Sequence, residues 1–202
     1  MNKKERRLNV REMTIIGMLG AIATVLMLFE IPLPFAPSFY EIDLSEVPVL
    51  IGTFALGPVA GVLIELVKIL LNFMINGTQT AGVGETANYL IGCAMCLPAG
   101  IVYRKIKSKK GAWIGLAIGT LAMTVFGCFI NAYILLPTYA KAFRIPIDGL
   151  VGMGTAVNGN ITNLFTFVLF AVVPFNLLKG LVISIVVLLI YKKISPIIKK
   201  HH

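Results

Sequence analysis

"VPVLIGTFALGPVAGVLIELVKILLNFMI", residues 47–75, is longer than one membrane crossing needs. As a single helix it would reach about 43 Å, against a hydrocarbon core of about 30 Å. Gly57-Pro58 in its middle supplies a break, because proline lacks the helical N–H and clashes with the turn before it. The stretch therefore reads as two helices, a short one at 46–57 and a longer one at 58–75. That division sets the topology of the whole chain.

The other apolar runs cover residues 13–29, 84–103, 112–137 and 161–191. Of the 202 residues, 57% are hydrophobic and only 13% charged, which excludes an ordinary soluble domain. Unbroken hydrophobicity implies helices and not a barrel. The run at 13–29 follows a basic start, as a signal peptide would. No small-residue cleavage pattern follows, however, and Glu30-Ile31-Pro32 leads into more protein, so the run is kept as the first span.

The net charge of +9 falls in short blocks between apolar segments instead of along a soluble face, which argues for topology and against nucleic acid. Lys3, Lys4, Arg6, Arg7 and Arg11 form the first block. Arg104, Lys105, Lys107, Lys109 and Lys110 form the second, and Lys192, Lys193, Lys199 and Lys200 the third. The positive-inside rule places all three in the cytoplasm. Segment 30–47, with Glu30, Glu41, Asp43 and Glu46 and no Lys or Arg, suits the outer side.

Parity then requires four crossings before the second block, which the break at Gly57-Pro58 provides, and two after it. The expectation is an all-α membrane protein: one domain of six transmembrane helices at 13–193, between a basic cytoplasmic segment at 1–12 and a basic cytoplasmic tail at 194–202. Both termini are cytoplasmic, and the ligand pocket lies near the extracellular face. Outer loops are expected at 30–46, 76–84 and 138–173. Residues 161–173 are not read as a further full span. The last loop, with Gly149, Gly152, Gly154 and Asn158-Gly159-Asn160, has a flexible, turn-forming composition.

Several chemistries are excluded. No phosphate-cradling G-x-x-x-x-G-K-[ST] motif occurs. Cys93 and Cys96 form a C-x-x-C within an apolar helix, without a second pair or a helix-interior histidine to complete a zinc site, and read as small buried residues. The two histidines, His201 and His202, lie at the extreme C-terminus. No metal centre, nucleophile–base set or paired catalytic carboxylates can be assembled, so the chain reads as a non-enzyme.

Polar residues converge instead at one depth. At 1.5 Å per residue, Asn72 lies about 21 Å above Pro58, Asn88 about 24 Å above Arg104, Asn131 about 27 Å above Trp113 and Asn176 about 22 Å above Tyr191. Lys179 lies one turn deeper than Asn176 on the same face. An ionised side chain there is costly, so Lys179 is read as facing a wet cavity, with snorkelling to the headgroups as the bland alternative. Glu65, Lys68 and Asn72 make one polar stripe. Glu65 and Lys68 either neutralise each other or meet a ligand, and Lys68 and Asn72 are the better ligand candidates. Glu85 and Thr86 open the fourth helix beside Asn88, where Glu85 also suits the helix dipole. The loop "PLPFAPSFYEIDLSEVP" reads either as a lid or, through Phe35, Phe39 and Tyr40, as an interfacial aromatic belt.

Four stretches, in this order and at family-like spacing, carry a resemblance over almost the whole chain: "FYEIDLSEVPVLIGTFALGPVAGVLIELVKILLNF", "GETANYLIG", "FINAYILLPTY" and above all "PFNLLKGL". The sequence resembles the riboflavin-specific substrate-binding subunits (S components, RibU family) of energy-coupling factor (ECF) transporters. The resemblance implies a six-helix binding subunit in a bacterial plasma membrane, its vitamin site open to the outside, roofed by the first loop and lined by helices four to six. Carried onto matching positions, Asn131, Asn176 and Lys179 are principal polar ligands, with Tyr40 and neighbouring loop aromatics such as Phe39 over the ring. A carboxamide suits the flavin's pyrimidine edge, which alternates carbonyl acceptors with an N–H donor.

The implied cargo is riboflavin, with flavin mononucleotide (FMN) as a further ligand, and no resident cofactor. The implied partners are a membrane coupling subunit, EcfT, and two cytoplasmic ABC-type ATPases, which would supply the energy. In the family a small-xxx-small pattern on helix one faces the coupling subunit. Gly17, in place of the usual alanine, and Ala21 fill it here, although packing within the subunit fits the spacing equally. Two other readings stay open: a binding subunit for a different vitamin, and an ion-coupled carrier using Glu65 and Lys68.

Overall fold

In the computed structural model, which describes residues 9–33, 37, 40–78 and 80–199, the stretch at 47–75 divides at Gly57. Helix α2 (Glu46–Leu56) ends there, and α3 (Pro58–Asn76) begins at the next residue. Gly57 has φ +110°, a conformation that glycine adopts without a Cβ penalty, and Pro58 opens α3 where the missing N–H costs nothing.

Upstream, α1 (Val10–Met27) starts in a reciprocal cap: Glu12 N–H donates to Asn9 Oδ1 at 2.8 Å and Asn9 N–H to Glu12 Oε2 at 3.1 Å. The chain then forms a short hairpin, β1 (Ile31–Pro32) and β2 (Glu41–Ile42), with Ile31 opposite Ile42 and Pro32 opposite Glu41. Downstream come α4 (Val83–Lys105) and α5 (Lys109–Ile130), the latter capped by Ser108. Helix α5 continues through a π turn (Asn131–Leu135) into α6 (Leu136–Ala142).

Among the described residues, five apolar helical stretches are long enough to cross a membrane: Val10–Met27, Pro58–Asn76, Val83–Lys105, Lys109–Ala142 and Leu164–Tyr191. Helix α2 has 11 residues, about 16 Å, roughly half a hydrocarbon core. It is instead the packing centre. Val47, Val49, Leu50 and Phe54 are buried among α1, α3, α4 and α9. Helices α4 and α5 approach closely because Gly115 and Gly119 face the backbone of Ala99 and Met95: a methyl group at either glycine would come within 2.7 Å of a carbonyl oxygen.

The structure corrects the reading of 138–173 as an outer loop. The segment holds the end of α6, helix α7 (Ile147–Val157) and α8 (Leu164–Phe167), which passes through a second π turn (Val168–Val172) into α9 (Val173–Lys199). The last long helix thus begins ten residues before Pro174. Of the glycines in α7, Gly154 is a packing position: it lies against Phe167, whose ring a methyl group would meet at 2.8 Å. Pro174 does not end the helix because the π turn precedes it, Val173 N–H reaching back to Val168 C=O. The same device recurs at Pro137, where Leu136 N–H donates to Asn131 C=O. In both places an extra residue widens the helix just before a proline.

Candidate functional site

The two π turns pack against one another, and beside them lies a cavity of about 210 Å3. The segment between α1 and α2 contributes Glu30, Tyr40, Glu41 and Asp43 to its wall, and α2 contributes Glu46. Helix α4 adds Asn88, Ile91 and Gly92. Met123, Asn131 and Leu135 come from α5 and its π turn, and Phe175, Asn176 and Lys179 from α9. The lining therefore joins apolar walls with a few converging polar groups, as small-molecule sites do.

The amides are held by the helices that carry them. Asn131 Nδ2 donates to Gly127 C=O at 2.8 Å and Asn176 Nδ2 to Val172 C=O at 2.9 Å, each one turn back. Gly127 makes room for Asn176, whose amide would lie 3.2 Å from any Cβ there. The Tyr40 hydroxyl donates to Asn131 Oδ1 at 2.8 Å, tying the loop to the first π turn. Tyr40 also packs on Phe175, with ring centroids 4.9 Å apart. Burial, reinforced by Tyr139 and Cys128, pushes its hydroxyl well above the usual phenol range, so it stays a donor.

Charge is organised by four consecutive residues, 43–46. Lys179 Nζ donates to Asp43 Oδ2 at 2.9 Å, and Ser45 N–H donates to Asp43 Oδ1 at 2.7 Å. Burial favours the protonated Asp43 carboxyl, but Lys179 and Lys68 outweigh it and hold the group below the usual carboxylate range. Next to this pair, Lys68 Nζ lies 2.7 Å from Glu46 Oε1 and 2.6 Å from Glu65 Oε1, all three side chains no more than 2% exposed. Gly92 leaves space for both carboxylates. One loop segment thus anchors α9 and α3 together.

A second cavity, of about 490 Å3, adjoins the first and shares Glu30, Glu41, Gly84, Asn88 and Tyr139 with it. Asn72, Asn76, Thr80 and Glu85 line its far part. Thr78 donates to Glu85 Oε2 at 3.0 Å, fixing that carboxylate at the start of α4. At the shared wall, partial desolvation raises the Glu30 carboxyl to about 7, aided by its hydrogen bond with Glu41.

Of the residues singled out from sequence, Tyr40, Asn88, Asn131, Asn176 and Lys179 meet at the first cavity, and Asn72, Glu85 and Asn88 at the second. Lys68 lines neither; it is paired inside the protein with Glu46 and Glu65, which matches the neutralising alternative of its sequence reading. Thr86 also lines neither. It is exposed and donates to Gly82 C=O, because it sits one residue, and about 100°, round the helix from Glu85. Phe35 and Phe39 lie outside the described residues. Gly17 and Ala21 are exposed on α1, whereas neighbouring Gly20 and Thr24 pack inward against α3.

Sequence reasoning missed Asp43 and Glu46 as counter-charges. The available signal was electrostatic: lysines in apolar helices need acids, and the loop at 30–47 holds most of the chain's unassigned ones. It also missed the aromatic wall from Phe175 and Tyr139.

The family model for the ECF transporter substrate-specific component matches residues 11–191. The chain is 34% identical to the "Riboflavin transporter FmnP" of Bacillus subtilis (strain 168), over 96% of each chain. It is 36% identical to the "Riboflavin transporter RibU" of Staphylococcus aureus (strain TCH60), over 96% of this chain and 97% of that one. Its fold is similar to a solved structure described as "Structure and mechanism of the S component of a bacterial ECF transporter", with a TM-score of 0.72 and 35% identity, covering 94% of this chain and 98% of that chain.

Proposed function

Because this chain belongs to the family of ECF transporter substrate-specific components, we propose that it binds riboflavin and delivers it to an ATP-driven uptake complex. It is a multi-pass protein of the bacterial cell membrane. The observation that carries the reading is the meeting of Tyr40, Asn131, Asn176 and Lys179, from a loop and two helices, around one cavity with apolar walls. A flavin ring needs such a site: apolar faces for its rings, amides for its pyrimidine edge and a lysine donor for a carbonyl or ring nitrogen.

In this reading both termini are cytoplasmic, the cavity faces outward, and the segment from Glu30 to Ser45 roofs it. The partners are an EcfT-type membrane coupling subunit and two cytoplasmic ABC-type ATPases, since this chain has no phosphate-binding loop. The exposed small residues Gly17 and Ala21 form the surface offered to the coupling subunit. Riboflavin is cargo, and no resident cofactor is required.

The test is quenching of riboflavin fluorescence by the purified protein in detergent. Saturable quenching is expected, and Asn176→Ala and Lys179→Ala should weaken it by an order of magnitude or more. Protein that melts normally yet neither quenches riboflavin nor responds to these substitutions would refute the assignment. Quenching by the protein with no response to either substitution would refute the proposed site.

A further inference from the structure

We propose that Glu46 and Glu65 form a proton site, and that filling the adjoining first cavity draws a proton onto the pair. The ligand's part in this rests on the riboflavin reading; the proton site itself does not.

The first observation is hydrogen bonding. Glu46 and Glu65 are 2% and 0% exposed, and both carboxylates converge on Lys68 Nζ. Lys68 donates to Glu46 Oε1 and, more weakly, to Ser45 Oγ at 3.4 Å. Glu65 Oε1 meets the ammonium at 2.6 Å but off the hydrogen-bonding direction, and Glu65 Oε2 and Glu46 Oε2 have no partner among the described residues. Buried carboxylate oxygens without a donor are costly to keep. The two groups are also close together: a methyl group at Gly92 would collide with Glu65 Oε1 and come 3.1 Å from Glu46 Oε1.

The second observation is charge. Asp43, Glu46 and Glu65 face Lys68 and Lys179, so the acids outnumber the lysines by one. Lys179 is engaged by Asp43, and Lys68 is the only fully buried basic side chain among the described residues. Helix α4 brings Tyr89, Cys93 and Cys96 near the pair, and α1 brings Thr24 to the Lys68 carbonyl; neither helix adds a cation there. Two carboxylates sharing one site resist being ionised together. A water molecule would supply a donor and leave the surplus charge. A proton between the two acids supplies the donor and removes the charge.

The third observation is position. Glu46 and Gly92 line the first cavity, with Asp43 and Lys179 in the same wall. A flavin ring there displaces water from beside Glu46 and makes the surplus negative charge more costly. One carboxylate then takes a proton from solvent and becomes a neutral carboxyl that donates to its neighbour. Ligand binding and proton uptake favour each other, as linked equilibria must. Affinity is therefore highest at low pH and weakens as pH rises through the titration of the pair.

The experiment measures riboflavin binding by calorimetry at pH 8 in phosphate and in Tris, buffers with different heats of ionisation, and follows the affinity across pH 6–8.5. The binding enthalpy should differ between buffers in the sense of proton uptake, and Kd should rise by up to about tenfold per pH unit. Glu46→Gln and Glu65→Gln each leave one acid for one lysine, and both should abolish the uptake. Glu65→Gln should keep the affinity that the unaltered protein shows at low pH. Glu30, raised to about 7 at the same wall, is the competing source, so Glu30→Gln should leave the uptake in place. Equal enthalpies in the two buffers, or an uptake that survives in Glu65→Gln and Glu46→Gln, overturns the linkage. Infrared spectra without ligand at pH 6 test the site separately: a protonated-carboxyl band that shifts in deuterium oxide should be weaker in Glu65→Gln, and identical spectra overturn the proton site. Failure of the functional reading looks different, with no riboflavin bound at any pH, and the infrared comparison then decides the site alone. Melting temperatures check that each glutamine variant is folded.

Discussion

The Tyr40 hydroxyl donates to Asn131 Oδ1 across 91 positions of sequence, joining the loop above the cavity to the π turn beside it. Tyr40→Phe removes the donor without changing the packing on Phe175, and should lower stability by about 1 kcal/mol. Asn131→Ala should cost more, since it also removes the amide bond to Gly127 C=O. A double-mutant cycle on thermal unfolding, giving a coupling close to zero, would contradict the bond.

Lys179 and Asp43 are 13% and 5% exposed, so removing either leaves a charge in a poorly hydrated place. Lys179→Ala should destabilise the fold by on the order of 3 kcal/mol. Lys179→Ala/Asp43→Ala should recover part of that loss while riboflavin binding stays weak. Full recovery of binding in the double variant would assign Lys179 a purely structural role.

The buried Glu46–Lys68–Glu65 triad makes a contrasting prediction. Lys68→Met alone should be strongly destabilising, by about 3–5 kcal/mol, whereas Glu46→Gln/Glu65→Gln/Lys68→Met should fold. That triple variant should still bind riboflavin. Uptake driven by an ion gradient in liposomes containing this subunit alone, and lost in the triple variant, would instead mark the triad as a transport element.

Two acids of the loop oppose each other with pH. Asp43 has its carboxyl held below the usual range, so its contribution to stability is complete above about pH 4 and fades as pH falls below that value. Glu30 is raised from 4.5 to about 7, so the fold favours its protonated form; its contribution is complete below about 4.5 and is lost as pH rises through 7. Melting temperatures of Glu30→Gln across pH 5–8 should fall less steeply than those of the unaltered protein. Parallel profiles would rule out this linkage.

The architecture was legible in sequence where apolar length and proline agreed. Gly57-Pro58 divides α2 from α3 at the residue expected; of the four asparagines expected at one depth, Asn88, Asn131 and Asn176 line one cavity together with Lys179, while Asn72 lines the adjoining one. The third outer loop was illegible for a physical reason. Gly149, Gly152 and Gly154 signal flexibility in water, but here they sit in α7, where Gly154 lets Phe167 approach. Pro174 looked like a helix start because a π turn leaves no composition signature. Asp43 and Glu46 were hidden by distance along the chain: their lysines lie 136 and 22 residues away.

The paired π turns also bear on how the gene can change. Each adds one residue to its turn, so deleting a single residue within Val168–Val172 would restore ordinary winding and rotate the halves of that helix by about 100° relative to each other. Phe167 and Asn176 could then no longer face the same interior. Substitutions along this stretch are tolerable where size is kept, but one-codon deletions should abolish uptake, although the stretch falls within the segment expected from sequence to be an outer loop.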